Sequence, residues 1–185
     1  MTSRGIQWFV SRRAAFKVGC KSSLPASDDL VRSHAFALDE RNMSLSQNKD
    51  LARRAIKLWT HGSKENLEQI FATDYVNHQQ HLPDSAQAIR GLNAWKQFVS
   101  AFHQAFPDFE DRIVTQIAEG DLVATQFVSS GTQNGQIMGI PATSRRASWT
   151  GMVIDRIANG KIVESWVNWD VFGMLQQLGA VQEPK

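Results

Sequence analysis

The stretch from Gly139 to Gly179, GIPATSRRASWTGMVIDRIANGKIVESWVNWDVFGMLQQLG, decides the fold. It reads as a turn, two long strands joined by Asn159-Gly160, and a closing helix. Trp149, Met152, Val153, Ile154 and Ile157 make a near-continuous apolar run, the pattern of a strand covered on both faces. Asn-Gly is preferred in a two-residue type I′ turn because both central residues take positive φ there. The two strands are therefore expected to pair antiparallel.

Outward from this stretch, Leu92, Trp95, Phe98, Val99, Phe102 and Phe106 recur every three or four residues. That spacing predicts an amphipathic helix over 91–106, ended by Pro107. Leu51, Ala55, Ile56, Leu58 and Trp59 predict another over 48–61, with Gly62 as its stop. Ser63 is placed to cap a second, short helix whose inner face is Leu67, Ile70 and Phe71. Tyr75 to Asp84 concentrates polar chemistry in Asn77, His78, Gln79, Gln80, His81 and Asp84, and Pro83 predicts irregular backbone there. Phe109–Ala118 and Leu122–Ser130 read as a second hairpin around Glu119-Gly120-Asp121. Gly131, Gly135 and Gly139 are read as turns around a short strand, because Gln133, Asn134 and Gln136 between them are polar.

Six of these segments, in this order, resemble a known family. They are Asp74–His78, Phe106–Phe109, Ile117–Asp121, G-x-P-x-T-x-R-R from Gly139, R-I-x-x-G-K-I-V-E-x-W from Arg156, and D-x-x-G-x-L-Q-Q-L-G from Asp170. The pattern is similar to the SnoaL-like polyketide cyclases, or ester cyclases, of the nuclear transport factor 2-like superfamily, over Leu45 to Gly179. The resemblance implies an α+β fold: a cone-shaped, strongly curved antiparallel sheet wrapped around three or four helices, with a largely apolar pocket between them. It also implies a homodimer paired through the outer sheet face, for which Met152, Ile154 and Trp166 are the candidates. The family's activity is an intramolecular aldol condensation without metal or cofactor, run by a His and an Asp on the two long strands and an Asn after the second helix. Here the His falls on Val153 and the Asp on Val167, which move no proton, and only the Asn has a match, at Asn77.

With Val153 and Val167 facing the pocket, period two puts Trp149, Gly151 and Asp155 on the same side of one strand and Ser165 and Trp169 on that side of the other. Asp155 then reads two ways: as a carboxyl raised by an apolar wall and able to move a proton, or as a rim salt bridge with Arg156. Asp170 reads as the cap of the closing helix or as a pocket carboxylate. Asn77 and His78 read as pocket-lining or as loop hydrogen-bonders. Trp149 and Trp169 read as core or as ligand-stacking rings. Asp155, Asn77 and Asp170 are thus the candidate catalytic residues, and His78, Trp149, Val153, Val167 and Trp169 the candidate ligand contacts. His103 is expected on the surface, Arg145-Arg146 in a solvated loop, and no metal at the His78/His81 pair for want of a third ligand.

The chain lacks a G-x-S-x-G elbow, a phosphate-binding loop, a dinucleotide fingerprint and H-E-x-x-H. It also lacks an apolar run long enough for a membrane helix, and its single Cys20 forms no internal disulfide. Residues 1–27 hold five basic and no acidic residues, leaving 15 basic against 18 acidic from Asp28 onward. The positive charge belongs to the tail, and nucleic acid is not the expected partner. Residues 1–44 read as an extension, either disordered or transit-like, before a domain at 45–185. The location expected is cytoplasmic, or an organelle if that segment is a transit peptide. Two functions stand: a protein that binds a small, largely apolar organic molecule, with cofactor-free cyclase- or isomerase-type chemistry; or a non-catalytic ligand-binding or protein-interaction module.

Overall fold

The computed structural model describes residues 44–60, 67–79 and 88–181. All but the last residue of the 1–44 extension, together with Ser63, Gln80, His81 and Asp84, lie outside those residues. The elements are α1 (44–60), α2 (Leu67–Ile70), β1 (Phe71–Gln79), β2 (Ile89–Arg90), α3 (Leu92–Ala105), β3 (Glu110–Glu119), β4 (Leu122–Thr132), β5 (Arg146–Ala158), β6 (Lys161–Trp169) and α4 (Val171–Leu178). The strands form one sheet in the order β2-β1-β6-β5-β4-β3. The fold is α+β, with every strand pair antiparallel except β1 beside β6. Tyr75 to Gln79, expected to be irregular, belongs to β1.

The β5–β6 hairpin turns at Asn159 (φ 52°) and Gly160 (φ 70°), both positive as a type I′ turn demands. Its strands are long, and three irregularities bend the sheet: between Phe71 and Val76 on β1, between Ile113 and Thr115 on β3, and between Arg156 and Ile157 on β5. An extra residue on one strand of a pair sharpens the local twist. The sheet therefore curls around α1 and α3.

Among the described residues, the helices cover the concave face of the sheet. On β5, Ala147, Trp149, Val153, Asp155 and Ile157 are buried, whereas Met152 and Ile154 keep 47% and 37% of their surface exposed. The apolar run that suggested a strand covered on both faces is thus a one-sided strand with an apolar outer face.

Two apolar clusters fill the concavity. Leu51, Ala55 and Leu58 of α1 meet Tyr75, Trp95 and Ile157 at one end; Phe102, Phe106 and Phe109 meet Trp149, Met174 and Leu178 at the other. Trp59 packs against both. It stacks on Trp95 at 5.4 Å and on Phe98 at 5.9 Å, tying α1 to α3. His103 is not a free surface residue: its Nε2 meets the Trp59 carbonyl at 2.5 Å and fixes the same pair of helices.

The glycines at 131 and 135 serve packing. Gly131 lies within β4, where a Cβ would sit 3.1 Å from the Phe106 ring; at Gly135 it would sit 2.5 Å from the Gln104 carbonyl oxygen. The backbone N–H groups of Asn134 and Gly135 donate to Ala105 O at 2.8 and 3.1 Å, so this close approach satisfies the carbonyl end of α3. Arg146, expected in a solvated loop, opens β5 and binds Asp108 and Ser130 at 2.9 Å each.

Candidate active site

Inward side chains line up in rows across the strands. Asn77, Ser165, Asp155 and Val123 make one row from β1 to β4, and Gln79, Val167, Val153 and Thr125 make the next. At the far end, Trp149, Ser129 and Asp111 form a row from β5 to β3. Between this wall and the inner faces of α1 and α3 lies a hollow of about 90 Å³. Among the described residues, four tryptophans, Trp59, Trp95, Trp149 and Trp169, and five phenylalanines line it, and no Lys, Arg or His does. The hollow is narrow because indoles occupy most of the cone, yet it reaches both the Asp155 row and the Asp111 row.

The polar wall is a directional chain of hydrogen bonds. Gln79 Nε2 donates to Asn77 Oδ1, Asn77 Nδ2 to Tyr75 Oη at 2.8 Å, Tyr75 Oη to Ser165 Oγ at 2.9 Å, and Ser165 Oγ to Asp155 Oδ1 at 2.6 Å. All five residues are buried, so the desolvation cost is met by pairing along the chain. Asp155 is the terminal acceptor. Burial pushes its carboxyl from an ordinary 3.8 up to about 7, opposed by the Ser165 hydrogen bond. Tyr75, the only tyrosine of the chain, is driven well above the ordinary phenol value by burial and then by the Asp155 charge. It remains a donor. The rim-salt-bridge reading of Asp155 is excluded by pairing: Arg156 points to the other face and binds Glu164 at 2.7 Å.

A second carboxyl shares the hollow. Asp111 of β3 accepts from Ser129 Oγ, and burial raises it to about 7 against that bond. Neither carboxyl has a basic partner among the described residues. Trp95 also lines the hollow, and its buried Nε1–H has no acceptor among the described residues.

Of the residues singled out from the sequence, Asp155, Asn77, Trp149, Val153, Val167 and Trp169 all line the hollow. Val153 and Val167 are direct cross-strand partners. Asp155 sits two residues from Val153 on the same strand face, about 7 Å along the strand. His78 and Asp170 are not part of the lining. His78 neighbours Asn77 on β1 and so takes the opposite face, where its Nε2 meets Glu164 Oε1 at 2.8 Å and its ring stacks on Trp166 at 5.5 Å. Asp170 caps α4, its Oδ1 accepting from Gly173 N at 2.8 Å. Among the described residues no three His, Cys, Asp or Glu side chains converge as metal ligands.

The candidate site read from the sequence did not include Asp111, Ser129 or Tyr75, nor Gln79, which was noted only as part of the polar stretch after Tyr75. Asp111 stands two residues from Phe109, and that parity was the one available signal.

Residues 49–178 match the family model described as SnoaL-like polyketide cyclase. Aklanonic acid methyl ester cyclase DnrD of Streptomyces peucetius is 28% identical over 138 residues, covering 73% of this chain and 92% of DnrD. The wild-type IdmH structure from Streptomyces antibioticus superposes with a TM-score of 0.62 at 30% identity, covering 72% of this chain and 99% of IdmH. TsrD from Streptomyces laurentii shares the fold, with a TM-score of 0.64 at 24% identity over 74% of this chain and 97% of TsrD. The matched span includes both long strands, the α3 lid and the α4 cap that shape the hollow, and with them this chain belongs to the SnoaL-like polyketide cyclase family.

Proposed function

We propose that the protein binds a small, largely apolar organic molecule carrying a carbonyl group and moves a proton on it with Asp155. The observation that carries this reading is a buried carboxyl, pushed to about 7, on the wall of an aromatic hollow with Ser165 as its one hydrogen-bond partner among the described residues. An acid that titrates near neutrality is the form in which a carboxylate serves as a general base toward a weakly acidic C–H. The positions that the family resemblance assigns to His and Asp hold valines. One row further toward the Asn159-Gly160 turn, Asp155 and Ser165 supply the missing ionisable group on the same two strands.

In a ring closure of the aldol class, the proton on the carbon next to one carbonyl passes to the Asp155 carboxylate. The resulting enolate carbon bonds to a second carbonyl of the same molecule, and the alkoxide takes up the proton. Nothing is consumed, so no cofactor enters the balance. Trp95 Nε1–H, without an acceptor among the described residues, is a donor suited to a carbonyl oxygen, whose charge grows on enolisation. The Ser165–Tyr75–Asn77–Gln79 chain holds the carboxylate in one orientation. DnrD bears the name of an ester cyclase, so compact keto esters are the first probes to try. A hollow of about 90 Å³ is small beside the roughly 300–1,000 Å³ of ordinary ligand pockets. One ring or a short acyl chain suits it without displacement of the indole lid.

The test is exchange of the α-protons of a keto ester such as ethyl acetoacetate in D2O, followed by NMR with full-length protein. Wild-type protein is expected to accelerate exchange and Asp155→Asn to lose that acceleration while keeping its fold. Equal rates in the two would remove Asp155 from the chemistry. The second reading, a ligand-binding module without catalysis, draws on the two valines; it predicts binding of such probes with no exchange above buffer.

A further inference from the structure

At the far end of the hollow from Asp155, Asp111 faces a different environment. Its row partner Ser129 gives it a hydrogen bond, and aromatic rings cluster along the same end of the hollow. Phe109 precedes it by two residues on the same face, and Trp149 lies across Ser129 on β5. Trp59 packs edge-on to Phe109 at 5.7 Å, and Phe109 stacks on Trp149 at 6.1 Å. Trp169 adjoins Trp149 at 5.6 Å. All four rings line the hollow.

This arrangement is costly for a carboxylate alone. Aromatic faces carry partial negative charge, so a ring cluster repels an anion and attracts a cation. A buried carboxylate ordinarily finds an Arg, Lys or His partner. None serves Asp111 among the described residues, and among them the hollow's lining contains no basic side chain. An Asn would accept the Ser129 hydrogen bond equally well, so that bond does not explain a carboxyl at this position. What a carboxyl adds is charge. The complement that satisfies both the charge and the rings is a positive centre clothed in carbon, brought by the ligand.

We infer that the Asp111 end of the hollow is a subsite for an organic ammonium group, seated between the Asp111 carboxylate and the faces of Trp59, Phe109 and Trp149. The inference rests on the small-molecule reading of the same hollow and names the ligand class. The ligand carries a methylated or alkylated amine at one end and the reacting carbonyl at the other. Trp149 and Asp155 are six residues apart on β5, on the order of 20 Å of extended strand, so a ligand that engages both ends is an elongated chain and parts the indoles of the narrow hollow, its ammonium group binding and orienting while the chemistry proceeds at a distance.

The test compares two isosteres of the same shape, choline and 3,3-dimethylbutan-1-ol, by calorimetry and tryptophan fluorescence on the full-length wild-type chain. The expected result is about tenfold tighter binding of the cation, the scale of a desolvated cation–π contact. Asp111→Asn is expected to cut that preference severalfold, the rings retaining the remainder, while leaving the affinity for the neutral alcohol in place. The wild-type comparison needs no variant to fold. Equal affinity for the two isosteres would overturn the ammonium subsite and leave the apolar-pocket reading standing. Binding of neither, alongside keto-ester exchange by wild-type protein, would overturn it also.

Discussion

Asp155 and Tyr75 are linked through Ser165, so each reports on the other. The chain has a single tyrosine, which makes its phenol ultraviolet signal unambiguous. Tyr75 is expected to stay un-ionised beyond the ordinary phenol range in a spectrophotometric titration, because burial and the Asp155 charge both oppose the phenolate. Asp155→Asn removes the charge and is expected to lower the onset; an unchanged titration curve would show that the two groups do not interact. Asp155 also sets a pH dependence of stability. Its folded value of about 7 lies above the ordinary 3.8, so between those values the folded chain holds a proton that the unfolded chain has lost. Stability is then fully present below about 4 and falls as pH rises toward 7, at up to about 1.4 kcal/mol per pH unit for this group. Asp111 has the same sign, with a smaller expected effect because it is partly exposed. Urea unfolding at pH 5, 6 and 8 is expected to show a shallower decline in Asp155→Asn than in wild type, and parallel declines would remove Asp155 as the source.

At the scale of elements, β5 and β6 carry both the hollow and the sequence signal. A Cβ at Gly151 would strike the Phe127 ring and the Trp169 Cβ, so Gly151→Ala overpacks the wall between the two carboxyl rows. We expect a loss of about 1–3 kcal/mol and a closed hollow, read as lost ligand binding in protein that still melts cooperatively; unaltered binding would show that the wall yields. Asp170→Ala tests the cap of α4 separately, with an expected cost of about 1 kcal/mol and no change in ligand binding. Much of this was legible beforehand. Asn159-Gly160 marks the hairpin turn, and alternation puts Val153 with Asp155 on one strand and Val167 with Trp169 on the other. The register shift beside Arg156 and Ile157, which sets Val153 against Val167, left no mark in the sequence, so only the family resemblance placed the two pairs on one face. β1 and β3 were opaque for a physical reason. Asn77, His78 and Gln79 are polar on both faces, so only pairing with β6 shows that His78 turns outward. On β3, Glu110, Asp111 and Arg112 are all charged, and the irregularity between Ile113 and Thr115 shifts the parity within the strand. Alternation along β3 therefore gives no consistent face, and only the two-residue step from Phe109 pointed to Asp111. Met152 and Ile154 misled in the opposite sense, since apolar side chains on an open face imitate a strand buried on both sides.

For the whole molecule the outer sheet face is the unfinished surface. One row crosses five strands, Ile117, Ala124, Ile154, Trp166 and His78, and Ile117 and Ile154 in it are 68% and 37% exposed. Met152 in the next row is 47% exposed. Contiguous apolar surface on a curved sheet is unfavourable in water and favours contact with a surface of like shape. We propose a second copy of this chain as the occupant, because a twofold axis through the row sets Ile154 and Trp166 against their own counterparts. The polar margin fits the same arrangement: Arg156, then His78, hold Glu164 below its ordinary value, so the charged groups beside the row are already paired within one protomer. Light scattering at micromolar concentration is expected to report a dimer. Ile154→Lys places a charge at the centre of the contact, on a side chain exposed enough to leave the fold intact, and is expected to yield monomers whose hollow still binds its probes. A wild-type monomer, or an Ile154→Lys variant that remains dimeric, would move the interface away from this face.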